Sequence, residues 1–472
     1  MRIVLCTPPF RTTDYCWPPL GLLYMASYLK TKSSHVVKVI DAYYSMNEKQ
    51  FLDQMKKEKP DVIGFSCTTY TFLKSMELLK KIKNALPNTT IVLGGIHATF
   101  FADKILKNYK FIDFVVRGEG EIAFTELVNN LGNRKKLINI NGLALRDKGK
   151  IISNEPSFIS DLDSLPLPDR RLLGNNDYSQ YWFGLKLNFG KFTTLLTSRG
   201  CPHNCNFCCC SALFKRRWRT KSVKNILDEL EEMYLQGYGT CIIVDDNFTL
   251  NPKRVVQICR GIRKRKIKMN FHCEGRVDRT DPKILKEMRK AGFSTIYFGM
   301  ESGVQKALDY YKKGIKVEQI KNAVRNVKKA RMNAIGSFII GSPVETKEDV
   351  MKTLEFASGL KIGLQINILE LVPGSEIWMD NIKKMGKDDW KKAHFITEFY
   401  DNFTRKEMLY FRDLGYKMLS EKWMKVSSVK ELPSLLTSYN VKVIVSNISK
   451  DPYLFVKQLS KIHKKGLYPF KV

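Results

Sequence analysis

The sequence predicts an α/β protein made of two successive βα series, the first a doubly wound parallel sheet and the second a partial (β/α)6 barrel, followed by a small, mostly helical C-terminal region. Three observations predict it. The length of 472 residues suggests roughly three units of ~100–200 residues each. Short apolar strands alternate with amphipathic helical segments from residue 2 to residue 371, and a proline-rich break, Leu165-Pro166-Leu167-Pro168-Asp169, separates the two series. The composition, 44% hydrophobic and 27% charged, is that of a globular chain. No apolar run approaches the ~18 residues a membrane helix needs, which excludes a membrane-spanning transporter. The opening Met1-Arg2-Ile3-Val4-Leu5-Cys6-Thr7-Pro8-Pro9 lacks the long apolar core of a secretory signal and reads as a first strand, so a cytoplasmic protein is expected.

In the first series, residues 1–145, strands are predicted at Arg2–Thr7, Val36–Asp41, Asp61–Ser66, Thr90–Gly94 and Phe111–Arg117, with helices such as Leu20–Lys30 and Phe72–Ala85 between them. This is the pattern of a Rossmann-like domain. Its strand ends carry Ser66-Cys67-Thr68-Thr69-Tyr70, Gly94-Gly95-Ile96-His97-Ala98 and Arg117-Gly118-Glu119-Gly120-Glu121, and ligands of open α/β sheets sit beyond such ends. A hairpin is expected over Asn141–Ser153 around Asp147-Lys148-Gly149, and residues 146–191 are read as a linker.

The second series, residues 192–377, has strands at Thr193–Thr197, Cys241–Asp245, Asn270–Glu274, Thr295–Gly299, Ala334–Ile340 and Leu364–Leu371. Helical patterns cover Ser222–Gln236, Pro252–Lys266, Pro282–Ala291, Val317–Ala330 and Lys347–Ser358. Six βα units make a partial TIM-like barrel, whose chemistry belongs at the strand carboxyl ends. Residues 378–472 lose the rhythm and end in a basic, helix-like segment, Pro452–Lys465.

The 79 basic against 47 acidic residues give a net charge of +32. The lysines are dispersed, as in Lys56-Lys57, Lys80-Lys81 and Lys328-Lys329, so the excess reads as a solvated surface and no nucleic-acid partner is expected. Eleven cysteines without an export signal argue against a disulfide framework and make metal ligation the live question.

At the end of the first barrel strand stands Thr197-Ser198-Arg199-Gly200-Cys201-Pro202-His203-Asn204-Cys205-Asn206-Phe207-Cys208, a C-x3-C-x2-C loop. Thiolates suit zinc and iron–sulfur clusters, but a closed structural zinc site takes four ligands. Three thiolates at Cys201, Cys205 and Cys208 therefore favour a 4Fe-4S cluster with one iron left open. A zinc loop completed by His203, Cys209 or Cys210 is the competing reading, with Cys209 and Cys210 otherwise spare thiols packed under the cluster.

This spacing, in this loop of a βα barrel, resembles the radical S-adenosylmethionine superfamily, in which the open iron binds S-adenosylmethionine. The strand ends Val244-Asp245-Asp246-Asn247, Cys273-Glu274-Gly275-Arg276, Phe298-Gly299-Met300-Glu301, Phe338-Ile339-Ile340-Gly341-Ser342-Pro343 and Leu371-Val372-Pro373-Gly374 extend the resemblance. It implies that the backbone beside Phe207 meets the adenine and that Asp245, Arg276 and Glu301 hold the methionine and ribose parts. A zwitterionic sulfonium ligand needs such acceptors and a guanidinium.

The first series, with Pro18-Pro19-Leu20-Gly21, Asp61-Val62-Ile63-Gly64, Gly94-Gly95-Ile96-His97 and Arg117-Gly118-Glu119-Gly120, resembles the cobalamin-binding domain of cobalamin-dependent radical enzymes. The resemblance implies a cobalamin crevice lined by Ser66, Thr68, Tyr70, Gly94, Gly95, His97, Gly118, Glu119 and Gly120, with Gly94 and Gly95 letting backbone approach the ligand. None of the six histidines has an Asp two places before it, so the D-x-H-x-x-G motif is absent and cobalt is expected to lack a histidine from it. His97 is read as packing or bonding against the nucleotide tail.

Together these resemblances imply a methyltransferase that methylates an unactivated carbon of a small molecule or a protein side chain, with an external electron donor such as flavodoxin or ferredoxin. Three alternatives stand beside it: a cyclase or ring-rearranging enzyme, a cobalamin sensor without turnover, and a methylthiotransferase. The last needs a second cluster in the front domain, where Cys6, Cys16 and Cys67 do not resemble the ligand loops.

Overall fold

The computed structural model describes residues 1–10, 17–174, 178, 180–182, 185–187 and 191–424. The chain divides into two compact units, one of Met1–Tyr178 with Met385–Ala393, the other running from Ser179 to Lys384 and from His394 on.

In the first unit β1 (Arg2–Thr7), β2 (Val36–Asp41), β3 (Val62–Ser66), β4 (Thr90–Gly94) and β5 (Phe114–Val116) run parallel in the order β2-β1-β3-β4-β5. Runs such as Ile3-Val4-Leu5 and Ile91-Val92-Leu93 are fully buried, as a parallel sheet covered on both faces requires. The crossovers contain α1 (Leu20–Lys32), α2 (Glu48–Glu58), α3 (Phe72–Ala85) and α4 (Ile96–Asn108), and α5 (Gly120–Asn129) follows β5. A capping box between Asn47 and Gln50 fixes the start of α2. The strand order reverses between β1 and β3, the switch point beyond which open sheets bind ligands.

The hairpin β6 (Leu143–Asp147) and β7 (Lys150–Ser153) joins this sheet antiparallel to β5. Residue 146, expected to open a linker, therefore lies inside the first sheet. Leu143, Ala144 and Leu145 are buried there, and apolar burial draws the hairpin into the domain. The unit extends to Tyr178, whose hydroxyl donates to Asp41 Oδ2 at 2.8 Å.

In the second unit β8 (Phe192–Leu195), β9 (Thr240–Ile243), β10 (Asn270–Gly275), β11 (Phe293–Glu301), β12 (Asn333–Ile340) and β13 (Gly363–Ile368) pair in parallel in chain order. The two end strands do not pair with each other among the described residues, so the barrel is partial. Helices α6 (Val223–Leu235), α7 (Pro252–Lys264), α8 (Pro282–Lys290), α9 (Val317–Lys329) and α10 (Lys347–Gly359) cover it. Ser222, Asn251, Asp281 and Thr346 cap four of them, with Pro252 and Pro282 entering the first turn. The core between strands and helices is built on Phe248, Phe271, Phe293 and Phe298.

The described residues after 378 do not form a unit of their own. Met385–Ala393 belongs to the first unit. Helix α11 (Arg405–Met424) lies on β13, with the Tyr416 hydroxyl accepting the Ile366 N–H at 3.1 Å. Gly415 permits that approach, since a Cβ there would stand 2.4 Å from Ile366 Cδ1. Pro452–Lys465 lies outside the described residues. No helix among the described residues is long and apolar enough to cross a membrane.

Candidate functional site

Past β8 the chain turns through Thr197 and Ser198 into the three-cysteine loop, and Asp245, buried just beyond β9, holds that turn. Its Oδ1 accepts the Thr197 N–H at 2.6 Å and the Ser198 N–H at 3.1 Å, while Oδ2 accepts both hydroxyls. A carboxylate has about four acceptor positions, and all are taken. Asp245, expected to hold S-adenosylmethionine, thus spends these positions on the loop. Its neighbour Asp246 accepts the Gly200 N–H at 2.9 Å. Gly200 has φ +86, and a Cβ would stand 2.1 Å from the Arg217 carbonyl oxygen, so only glycine fits ahead of Cys201.

The far side of the loop is tied to the turn at Tyr310–Lys313. The Asn206 N–H donates to the Tyr311 carbonyl at 3.2 Å, and Asn206 Nδ2 donates to the Tyr310 carbonyl at 2.5 Å. Phe207 meets Tyr311 edge-on with ring centroids 5.4 Å apart, and Lys313 Nζ lies 6.0 Å from the Phe207 centroid. Lys313 pairs with Glu301 at 2.6 Å, and its carbonyl accepts from Arg276 Nη2 at 2.9 Å. Arg276 also pairs with Asp278.

The structure thus gathers Phe207, Arg276 and Glu301 around Lys313, a residue that no motif in the sequence singles out. Burial acts to lower the Lys313 ammonium, yet Glu301 and Cys205 hold it above its ordinary value. Glu301 has a left-handed backbone, φ +63, where the register between β11 and β12 shifts. Such a conformation costs of order 1–3 kcal/mol. Gly299 makes room for the ion pair, since a Cβ there would stand 2.3 Å from Glu301 Oε1.

Burial raises the Cys201 thiol, with Asp246, Cys205 and Cys208 adding to it, and burial raises Cys205 while Lys313 opposes. The Cys208 thiol is pulled down to about 7, chiefly by a hydrogen bond from Cys210. The Cys210 N–H also reaches Cys208 Sγ at 3.4 Å. Burial pushes Cys209 up to about 12, so that thiol stays protonated.

The three loop thiols therefore lie within electrostatic reach of one another. Among the described residues no group of three His, Cys, Asp or Glu is arranged to hold a metal ion. Zinc ligands must converge on a single point. Three thiolates that each take a different iron need not converge. The donor set, three soft sulfurs on one loop beside a buried ammonium, fits an iron–sulfur cluster.

Glu274 stands near the end of β10. Burial and the nearby Asp246 and Asp245 push its carboxyl up to about 7, and it has no hydrogen bond or ion pair among the described residues.

In the first unit the loops after β3 and β4 lock together. Gly95 has φ +95, and a Cβ would stand 2.5 Å from the Cys67 carbonyl oxygen. That glycine serves the contact between two loops, whereas Gly94, with only the Val116 carbonyl at 3.9 Å, leaves open space. Thr68 and Tyr70 are exposed and Ser66 is half-buried.

His97 is fully buried. Its Nδ1 lies 3.1 Å from Thr69 Oγ1, its Nε2 has no partner, and its ring packs against Phe72, Phe101 and Trp390 at centroid distances of 4.1, 4.8 and 5.8 Å. Gly118, Glu119 and Gly120 face inward: Gly118 bridges to Ser157, Glu119 Oε2 accepts the Ile159 N–H at 2.6 Å, and a Cβ on Gly120 would meet Met25 Cε at 2.7 Å. These three close the domain. At the ends of β3 and β4, Gly94 leaves room for a Cβ, with Ser66, Thr68 and Tyr70 in the loop after β3. Of the front-domain cysteines, Cys6 lies inside β1 and Cys67 is buried in its loop; Cys16 lies outside the described residues.

Residues 195–357 match the Radical SAM superfamily and residues 8–128 match the B12 binding domain. An uncharacterized methyltransferase of Pyrococcus horikoshii is 34% identical over 87% of this chain and 92% of its own length. An anaerobic magnesium-protoporphyrin IX monomethyl ester cyclase of Rubrivivax gelatinosus is 30% identical over 83% and 72%. Among solved structures, the cobalamin-dependent S-adenosylmethionine radical enzyme OxsB with aqua-cobalamin bound superposes with a TM-score of 0.65 at 22% identity. That match covers 83% of this chain and only 56% of OxsB. By these matches the chain belongs to the cobalamin-dependent radical S-adenosylmethionine enzymes, which work with S-adenosylmethionine, cobalamin and a four-iron cluster.

Proposed function

We propose that the chain is a carbon methyltransferase that adds a methyl group to an unactivated carbon of a small molecule or a protein side chain. The observation that carries the reading is a three-thiol loop, locked by Asp245 and Asn206 at the barrel mouth, in the same chain as a doubly wound sheet without a histidine from the cobalt-binding motif. The relative named a methyltransferase, matched over nearly its whole length, supports it.

In this reading Cys201, Cys205 and Cys208 hold the cluster. The backbone beside Phe207 receives the adenine. Arg276, oriented by Asp278 and the Lys313 carbonyl, offers its guanidinium to the carboxylate of S-adenosylmethionine, and Glu301, held by Lys313, faces the ribose. When bound, the cluster and S-adenosylmethionine supply a 5′-deoxyadenosyl radical, and methylcobalamin supplies the methyl group. The chain's own contribution is orientation, which the hydrogen bonds of Asp245 and Asn206 fix before any ligand arrives. A low-potential electron carrier such as flavodoxin or ferredoxin completes the cycle.

A ring-forming reaction is the second reading, favoured by the relative named a cyclase. Trideuteromethyl-labelled S-adenosylmethionine separates the two. Methyl transfer gives product heavier by the labelled methyl, with 5′-deoxyadenosine and S-adenosylhomocysteine formed together. Deoxyadenosine without S-adenosylhomocysteine and without label in the product would replace methylation by ring formation.

A further inference from the structure

We propose that Glu274 is the group that recognises the substrate, and that it takes a cationic nitrogen, an amine or a guanidine, at the mouth of the barrel lumen. The inference rests on the reading that a 5′-deoxyadenosyl radical forms beside the three-cysteine loop, since such a radical requires its target carbon to be held next to it.

Strand alternation sets where Glu274 points. Phe271 and Cys273 of β10 lie in the core between strands and helices, so His272 and Glu274 face the lumen. Ile296 and Phe298 of β11 lie in the same core, which puts Tyr297, the register partner of Glu274, on the lumen side as well. Glu274 is half-buried and stands one residue before the end of β10, at the carboxyl end where barrel chemistry sits. Its carboxyl lies within electrostatic reach of Asp246, Asp245 and Lys313. Asp245 and Asp246 bond the thiol loop directly, so Glu274 faces the region where the radical forms.

The inward-facing neighbours of Glu274 are occupied with one another. Tyr297 donates to Gln365, Gln365 Nε2 donates to Asn367 Oδ1 at 3.3 Å, and Asn367 Nδ2 donates to Ser337 Oγ at 2.9 Å. All four are neutral, and His272 is neutral too, because burial pushes its ring down to about 4. The two nearby cations are committed elsewhere, Lys313 to Glu301 at 2.6 Å and Arg276 to Asp278 at 3.1 Å. Among the described residues Glu274 has no hydrogen bond and no ion pair, while Asp245 and Asp246 add negative charge around it.

A second group at these strand ends is also left over. Asn247, 1% exposed, accepts from Thr249 Oγ1 at 3.2 Å, and Thr249 Oγ1 accepts the Arg276 N–H at 3.1 Å. The Asn247 amide therefore stands beside the last residues of β10, and its Nδ2 has no partner among the described residues. Polar groups inside a protein are nearly always hydrogen-bonded. Two groups left unmet at the ends of adjacent strands mark a surface that a ligand completes. A carboxylate in a negative, partly dry site prefers a cation to a neutral donor, because a charge-assisted hydrogen bond is roughly twice as strong as a neutral one.

The test reads which molecule the radical strikes. Reconstituted full-length holoenzyme is reduced with dithionite in the presence of S-adenosylmethionine and one of three perdeuterated probes: n-butylamine, 1-butanol, or an acetylated, amidated Gly-Lys-Gly tripeptide labelled in its lysine side chain. A probe held at Glu274 gives up one deuterium atom from carbon to the radical, and the readout is the deuterated fraction of the 5′-deoxyadenosine, which does not depend on how much cofactor is cleaved. In wild type the amine should half-saturate this transfer at about a tenfold lower concentration than the alcohol. Glu274→Gln should abolish that preference by weakening the amine alone, and Glu274→Asp should keep part of it. Label from butylamine alone supports a free amine as substrate, and label from the tripeptide as well supports a protein side chain.

Equal deuterated fractions from amine and alcohol in wild type, zero included, would overturn the proposal. So would an amine preference that survives in Glu274→Gln, or a tenfold weaker binding of S-adenosylmethionine in that variant with the preference intact, which would assign Glu274 to the cofactor. Wild-type enzyme that forms no deoxyadenosine at all would fell the radical reading itself, and this inference with it.

Discussion

Replacing Asp245 by Asn tests whether this carboxylate positions the thiol loop or binds the cofactor. Asn keeps one oxygen for the Thr197 and Ser198 N–H groups, and it puts an amide where Oδ2 accepts two hydroxyls. Those hydroxyls can rotate to accept from the new N–H groups, so the turn survives and charge assistance is lost. A hydrogen bond to a charged group contributes about 1.5–3 kcal/mol, and a neutral one about 0.5–1.5. Four weakened bonds, offset by no longer burying a charge, give a net loss of about 1–3 kcal/mol. Asp245→Ala strands four buried donors and costs more, about 4 kcal/mol or above. Calorimetry should show the Asn variant melting about 3–10 °C lower, and reconstitution should leave less iron per chain. Binding of S-adenosylmethionine to the iron-replete fraction should stay at wild-type affinity, because no lone pair of Asp245 is free to touch it. An Asn variant with normal melting and iron, but affinity for S-adenosylmethionine weakened tenfold, would refute the reasoning and return Asp245 to the binding site.

The remaining predictions concern the thiols, the buried histidine and a buried carboxylate. Replacing Cys201, Cys205 and Cys208 together by Ala should abolish iron binding on anaerobic reconstitution, whereas Cys209→Ala or Cys210→Ala alone should leave most of it; wild-type iron in the triple variant would defeat the assignment. His97 is neutral, because burial pushes its ring down to about 3, and it sits in an aromatic cage. His97→Ala should therefore destabilise the chain by roughly 3 kcal/mol, and the paramagnetic resonance of bound Co(II) cobalamin should lack imidazole nitrogen splitting in both proteins. Glu345, 2% exposed, has its carboxyl pushed up to about 7, first of all by burial. The folded chain then keeps a proton that the unfolded chain releases near ~4.5. This contribution to stability is complete below ~4.5 and is lost as pH rises towards 7. Glu345→Gln should match wild type at pH 5 and exceed it by about 1–3 kcal/mol at pH 8; parallel pH profiles would disprove this.

The strands were legible because their signals are local. Ile91-Val92-Leu93 between turn residues can be little but a buried parallel strand, and all six barrel strands fall within a few residues of their expected places. The Cys201–Cys208 spacing was legible for the same reason. Contacts made across the chain were not. The Glu301–Lys313 pair spans a register shift that no periodicity announces. The inward turn of Glu119 depends on Ile159, forty residues away. Trp390 was placed in a third region, yet it packs on His97 in the first unit, because an aromatic residue carries no sign of which core it will fill.

The inner face of the barrel shows the same limit. Strand periodicity does not tell how the polar side chains of β11, β12 and β13 bond. Tyr297 donates to Gln365, Gln365 Nε2 donates to Asn367 Oδ1 at 3.3 Å, and Asn367 Nδ2 donates to Ser337 Oγ at 2.9 Å. Closed barrels of this kind fill the same space with branched apolar side chains in layers. Here the layer is a hydrogen-bonded chain of neutral groups, with Glu274 opposite Tyr297 in the β10–β11 register and still unpaired. An apolar substrate buried against that face would strand polar groups at a cost of about 1–3 kcal/mol each, whereas one carrying amide or hydroxyl groups would exchange hydrogen bonds at little cost.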